Sequence, residues 1–146
     1  MTAVQPGLVV VPVDFSSDCS EAIRVARRRV ADAGSLHIVH VLPPLDFSTP
    51  AVLHKFASGE NRQDLAHEQL DELMDQAGVV GAEPVVLEGD PGLKVVDYAK
   101  EIEAELIVVT STGRHGVQRL LLGSTAERIV RHAHCSVLVL RRRAGK

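Results

Sequence analysis

The stretch Leu106-Ile107-Val108-Val109-Thr110-Ser111-Thr112-Gly113-Arg114-His115-Gly116-Val117-Gln118-Arg119-Leu120-Leu121-Leu122-Gly123-Ser124-Thr125 passes from an unbroken apolar run, through a glycine-bearing turn, towards a segment of helical period. A short β-branched run without polar alternation is a strand covered on both faces, the condition of a parallel sheet flanked by helices. The same grammar recurs on either side. Leu8-Val9-Val10-Val11 and Val137-Leu138-Val139-Leu140 are equally continuous, and longer stretches of helical spacing separate the runs. This alternation specifies the α/β class, with one doubly wound parallel sheet and helices on both faces.

Five strands are expected, over residues 7–13, 35–41, 83–88, 105–110 and 136–140, with four helices between them. The first helix follows Ser16-Ser17-Asp18, where Asp18 and Glu21 have capping-box spacing, and sets Ala22, Ala26, Val30 and Ala33 on one stripe. The second, over 61–78, carries Ala66, Leu70, Leu73, Met74 and Ala77 and ends at glycine. The third starts at Pro91 and should bury Leu93, Val96, Ala99 and Ile102. The fourth starts near Ser124 and should use Ala126, Ile129, Val130 and Ala133. Residues 42–60 break this rhythm with Pro43, Pro44, Ser48, Thr49, Pro50, Ser58 and Gly59, and read as a mobile connection.

The whole is 146 residues with 45% apolar and 24% charged side chains, which suits a single domain over 1–146. A formal charge of −3 gives no basic field for a phosphate polymer or an anionic membrane, so no nucleic acid and no membrane partner is expected. Three Phe, one Tyr and no Trp supply no stacking platform for single strands either. Cys19 and Cys135 form no CxxC pair, and the N-terminus has no basic region followed by a long apolar stretch. A cytoplasmic protein is the expectation.

Right-handed crossovers place a binding crevice beyond the carboxyl ends of the strands, here Asp14, Val41, Gly89 and Thr110. Gly113, Gly116 and Gly123 allow unusual dihedrals and close approach of backbone amides, while Ser124 and Thr125 add hydroxyls at a helix N-terminus. Such a turn cradles phosphate, or else is a loop with an ordinary serine cap. Asp14 likewise reads as an acceptor of ribose hydroxyls or as an N-cap. Arg114, His115 and Arg119 stand within reach of phosphates or are solvated. His132, His134 and Cys135 lack a fourth ligand at zinc spacing, so no metal site is expected. His37 and His40 fall on opposite strand faces and read as partly packed. Neither a P-loop lysine motif nor a nucleophile elbow is present, and no base is aimed at water. Slow incidental ATP hydrolysis is the most that is expected, with no catalytic residue.

The turn at 110–125 resembles the nucleotide-binding loop of the universal stress protein family, Gly-x2-Gly-x9-Gly-Ser/Thr. Gly113, nine residues and then Gly123-Ser124 match its last two elements, and Thr110 replaces the first glycine. Val11-Pro12-Val13-Asp14-Phe15-Ser16, His40-Val41, Glu88-Gly89-Asp90-Pro91 and residues 133–141 carry the resemblance over essentially the whole chain. It implies strand order 3-2-1-4-5 and ATP or AMP, with or without magnesium, across the strand ends. It implies that Pro12 and Val41 border the adenine, that Asp14 accepts from a ribose hydroxyl, and that Thr110, Gly113, Gly123, Ser124 and Thr125 follow the ribose and phosphates. It further implies a stress-response sensor acting on an unidentified downstream protein. The resemblance also implies a homodimer through the apolar strand 136–140, which would otherwise leave an unpaired edge. The alternative is a dimeric, partner-binding stress protein without nucleotide. A phosphorelay receiver fits less well: only Asp14 stands where paired acids are needed, and arginines follow the fifth strand where a lysine is needed.

Overall fold

Val9, Val10, Val11, Leu36, Ile38, Val39, Ile107 and Val108 have no exposed surface, so the inner strands are covered on both faces. The computed structural model describes residues 7–45, 48, 50, 61–111 and 122–141. In chain order the elements are β1 (Val9–Pro12), α1 (Cys19–Arg27), a 3-10 turn (Ala33–Ser35), β2 (Leu36–Leu42) and α2 (Arg62–Ala77). Then follow β3 (Glu83–Glu88), α3 (Pro91–Glu101), β4 (Leu106–Thr110), α4 (Ser124–His132) and β5 (Ser136–Leu140). The five strands form one all-parallel sheet of order β3-β2-β1-β4-β5. The α/β class and the strand order are those the sequence led us to expect.

Two cores lie on the two faces of the sheet. Val9, Val11, Val13, Leu36, Ile38 and Val108 pack with Cys19, Ala22, Ile23 and Ala26 of α1 and Leu70, Leu73 and Ala77 of α2. Val10, Val39, Val41, Ile107 and Val109 pack with Val95, Val96 and Ala99 of α3 and Ala126 and Ile129 of α4. Alternation of side chains along each strand divides them between the layers.

Asn61 caps α2 by accepting from the backbone N–H groups of Gln63 at 3.0 Å and Asp64 at 3.3 Å. Gly78 ends that helix at φ +71°, a left-handed position that glycine occupies without a steric penalty. Asp90 caps α3, accepting from Leu93 N–H at 3.0 Å, and Pro91 opens it. Asp18 precedes α1 but makes no side-chain cap hydrogen bond, because its backbone is already helical (φ −87°, ψ −7°); the expected capping box is not formed. Ala33 lies in the 3-10 turn, outside α1, whose buried stripe includes Cys19 and Ile23 instead. Leu93 and Val130 are exposed by 43% and 46%, contrary to expectation, because the sheet covers the stripes through Val95 and Ile129. Most of the 42–60 connection lies outside the described residues.

Helices α3 and α4 meet where α3 carries a glycine. A methyl group on Gly92 would stand 2.8 Å from Cβ of Arg128, an atom that cannot swing aside. Gly92→Ala is therefore expected to lower stability by about 1–2 kcal/mol despite the better helix propensity of alanine, as urea denaturation would show. At the amino end of the sheet, His37 Nδ1 and the Tyr98 hydroxyl share a hydrogen bond of 2.7 Å. Burial holds the His37 imidazolium form down, against a smaller opposing pull from Glu83. The folded state thus binds fewer protons here than the unfolded one, so stability falls as pH drops through the usual histidine pKa of about 6.5. In His37→Asn this acid-side slope of the melting temperature between about pH 7 and 5 is expected to flatten.

Candidate functional site

Strand β1 is the point at which the sheet changes direction: β2 and β3 succeed it on one side, β4 and β5 on the other. Its register with β2 runs to Pro12–Val39 and is prolonged by Val13 N–H donating to Val39 O at 2.8 Å. β4 is likewise followed by β5 to Thr110–Leu140, then by Ser111 N–H donating to Leu140 O at 2.8 Å. Between β1 and β4 the register covers only Val9–Leu106 and Val10–Ile107. No register joins the two central strands beyond that, and the carboxyl end of such a switch point is where a doubly wound sheet offers ligands a crevice.

On the β1 side the rim is a tight turn. Phe15 takes φ +63°, one of two positive values among the described non-glycine residues, the other being Glu103. Several contacts hold this costly conformation. Asp14 Oδ1 accepts from Ser16 N–H at 3.0 Å and from the thiol of Cys19 at 3.4 Å. His40 donates from Nδ1 to the Val13 carbonyl at 2.8 Å, and its ring lies 4.4 Å from that of Phe15. Burial pushes the Cys19 thiol up, with the Asp14 carboxylate adding to it and hydrogen bonds from Ser16 and the Asp14 backbone opposing it, so at neutral pH it is a proton donor to the carboxylate. Asp14 is thus an Asx-type acceptor at the strand end, where the sequence offered only ribose contact or a helix cap. Pro12 is half-buried beside it, and Val41 is buried in the core shared with α3 and α4.

On the β4 side Thr110 is the last strand residue, with ordinary strand pairing and no positive φ. A threonine is comfortable in that conformation. The Ser111 carbonyl accepts from Gly123 N–H at 2.6 Å, closing the loop on itself at its neck. Gly123 then serves as N-cap of α4 with φ −61° and ψ 159°, an extended conformation open to any residue, so no unusual dihedral is needed there. Ser124 and Thr125 form the first turn, the former exposed and the latter half-buried. Gly113, Arg114, His115, Gly116 and Arg119 lie outside the described residues. The fold therefore brings Pro12, Asp14, Thr110, Gly123, Ser124 and Thr125 to one end of the sheet around its switch point, with Val41 beneath.

His132 and Cys135 are near one another in sequence, yet no group of three potential metal ligands occurs among the described residues. No helix among them is long and apolar enough to cross a membrane. Sequence reasoning missed the Phe15–His40 pair, the Ser111 carbonyl and the partnership of Asp90 with Arg128. Only the last had a signal, since Asp90 precedes Pro91 as an N-cap does.

The all-parallel sheet of order β3-β2-β1-β4-β5 places the chain among the doubly wound α/β proteins. Comparison with known proteins makes this specific. The model of the universal stress protein family matches residues 8–141. A curated universal stress protein of Methanocaldococcus jannaschii is 30% identical over 141 residues, covering 92% of this chain and 81% of that one. The solved universal stress protein UspA of Lactobacillus plantarum is similar with a TM-score of 0.71 and 27% identity, over 95% of this chain and all of that one. A universal stress protein solved in complex with cAMP is similar at TM-score 0.62 and 26% identity, over 94% of this chain and 98% of that one. An Arabidopsis thaliana family member solved with AMP bound shares the fold at TM-score 0.57 and 20% identity, over 94% and 93% of the two chains. The chain belongs to the universal stress protein family.

Proposed function

We propose that this protein binds an adenine nucleotide, ATP or AMP, across the carboxyl ends of β1 and β4, and acts as a stress-response regulator with little or no catalysis of its own. The observation that carries the reading is the convergence of Asp14, Thr110, Gly123 and Ser124 on the switch point. Pro12 and Val41 border the adenine, and Asp14 accepts a ribose hydroxyl. Thr110, Gly113, Gly123, Ser124 and Thr125 follow the ribose and phosphates, with magnesium as an optional companion of ATP. The bound cAMP and AMP of the similar structures support an adenosine phosphate as the ligand class. Thr110 supports it too: the glycine it replaces would not be needed for backbone reasons, since the position is ordinary strand.

The sequence carries neither a P-loop lysine motif nor a nucleophile elbow, and turnover of ATP well below about 1 per second is part of this reading. Strand β5 is a sheet edge of half-buried apolar residues, Val137 to Leu140, and a twofold mate pairing along it gives the homodimer we propose. Two cysteines without a disulfide suit a reducing cytoplasm.

Calorimetric titration with ATP and AMP tests the reading. Saturable binding at micromolar to millimolar nucleotide is expected from the native chain, and Thr110→Gly is expected to bind no better while losing about 0.5–1 kcal/mol of stability. No binding by the native chain, with binding restored in Thr110→Gly, would instead favour a partner-binding dimer without nucleotide.

A further inference from the structure

Helix α4 places its first turn, and hence the hydroxyl of Ser124, at the crevice. A helix start serves an anion only when it is placed to a fraction of an ångström, so what seats α4 matters as much as what it carries. Ala126 and Ile129 anchor it to the sheet. Sideways, its position is set by α3. Nη1 of Arg128 lies 2.7 Å from Asp90 Oδ1, while Asp90 Oδ2 accepts from Leu93 N–H at 3.0 Å. Directly beneath the Arg128 stem sits Gly92, which leaves no room for even one methyl group. One carboxylate therefore caps the start of α3 and clamps α4. The hydrogen bond from Leu93 first, and Arg128 in addition, hold the Asp90 carboxyl below the usual carboxylate range, so the clamp is charged at neutral pH.

We propose that Arg128 is a positioning residue for phosphate recognition: bridged to Asp90 over Gly92, it fixes α4 so that the Gly123–Ser124 turn meets the nucleotide's phosphate. This rests on the nucleotide reading above and adds to it a residue that does not touch the ligand. The bridge is half exposed, and pairs of that kind contribute little to global stability, so variants that break it are expected to fold.

The test compares AMP with adenosine by calorimetry in the native protein, Asp90→Asn, Arg128→Gln and the double variant. Asparagine keeps the N-cap of α3 and removes only the charge. Each single variant is expected to weaken AMP binding about two- to fivefold, with adenosine binding unchanged and the double variant no worse than either single one. A purely structural role would move adenosine and AMP together and overturns the proposal. If Arg128→Gln weakens AMP while Asp90→Asn leaves it unchanged or tightens it, Arg128 contacts the phosphate directly, which also overturns it. If the native protein binds AMP no better than adenosine, the phosphate reading itself fails and takes this inference with it.

Discussion

Asp14→Ala is expected to weaken AMP binding about ten- to hundredfold while leaving the affinity for 2′,3′-dideoxyadenosine monophosphate almost unchanged. A hydrogen bond to a charged acceptor contributes about 1.5–3 kcal/mol, and each 1.4 kcal/mol is a factor of ten in affinity. The analogue lacks the ribose hydroxyls, so it isolates their share from that of the base and phosphate. Asp14 is well held for this duty. Ser16 N–H and the Cys19 thiol fix one oxygen, and the Phe15–His40 contact stabilises the turn from which the carboxylate projects. An equal loss for both nucleotides would mean that Asp14 shapes the turn without meeting the sugar. Circular dichroism of the variant would check that α1, whose first residue is Cys19, persists.

Ile129→Ala is expected to give the largest loss of stability, about 2–5 kcal/mol, or a melting temperature lower by on the order of 10 °C. Ile129 is fully buried between α4 and the sheet, in the core that holds Val10, Val39 and Ile107. The cavity left by its truncation would lie where a rigid sheet and two short helices meet, with little freedom to collapse. Val130→Ala, one residue on and exposed, is the control and is expected to change stability by less than about 0.5 kcal/mol. Equal losses would contradict the orientation of α4.

That pair of neighbours shows what the sequence could and could not tell. Strands β3 and β5 begin and end where the apolar runs do, and Asn61, Gly78 and Pro91 mark helix ends by local chemistry that needs no tertiary partner. Phase is another matter. In a helix as short as α4 the stripes through Ile129 and Val130 satisfy the same period, and only the sheet decides which is covered. Leu93 differs for the same reason, whereas Ala33 differs because α1 stops at Arg27 and the chain enters a 3-10 turn. At the candidate site, the strand end pointed to Asp14 and the glycine–serine helix start to Gly123 and Ser124, yet the left-handed Phe15 depends on a histidine from another strand. The Arg128–Asp90 bridge joins two helices that no local pattern relates.

The pairing of Val9 with Leu106 has a bearing on how the molecule comes into being. When β1 leaves the ribosome its partner β4 is still unsynthesised, so their pairing waits on a contact of very long sequence separation and is expected to be slow. A nascent or truncated chain halted before that neighbour emerges has one wall of the cleft and no other. A ligand of that cleft, if bound as proposed, would favour chains in which both strands are present, through its preference for the native form.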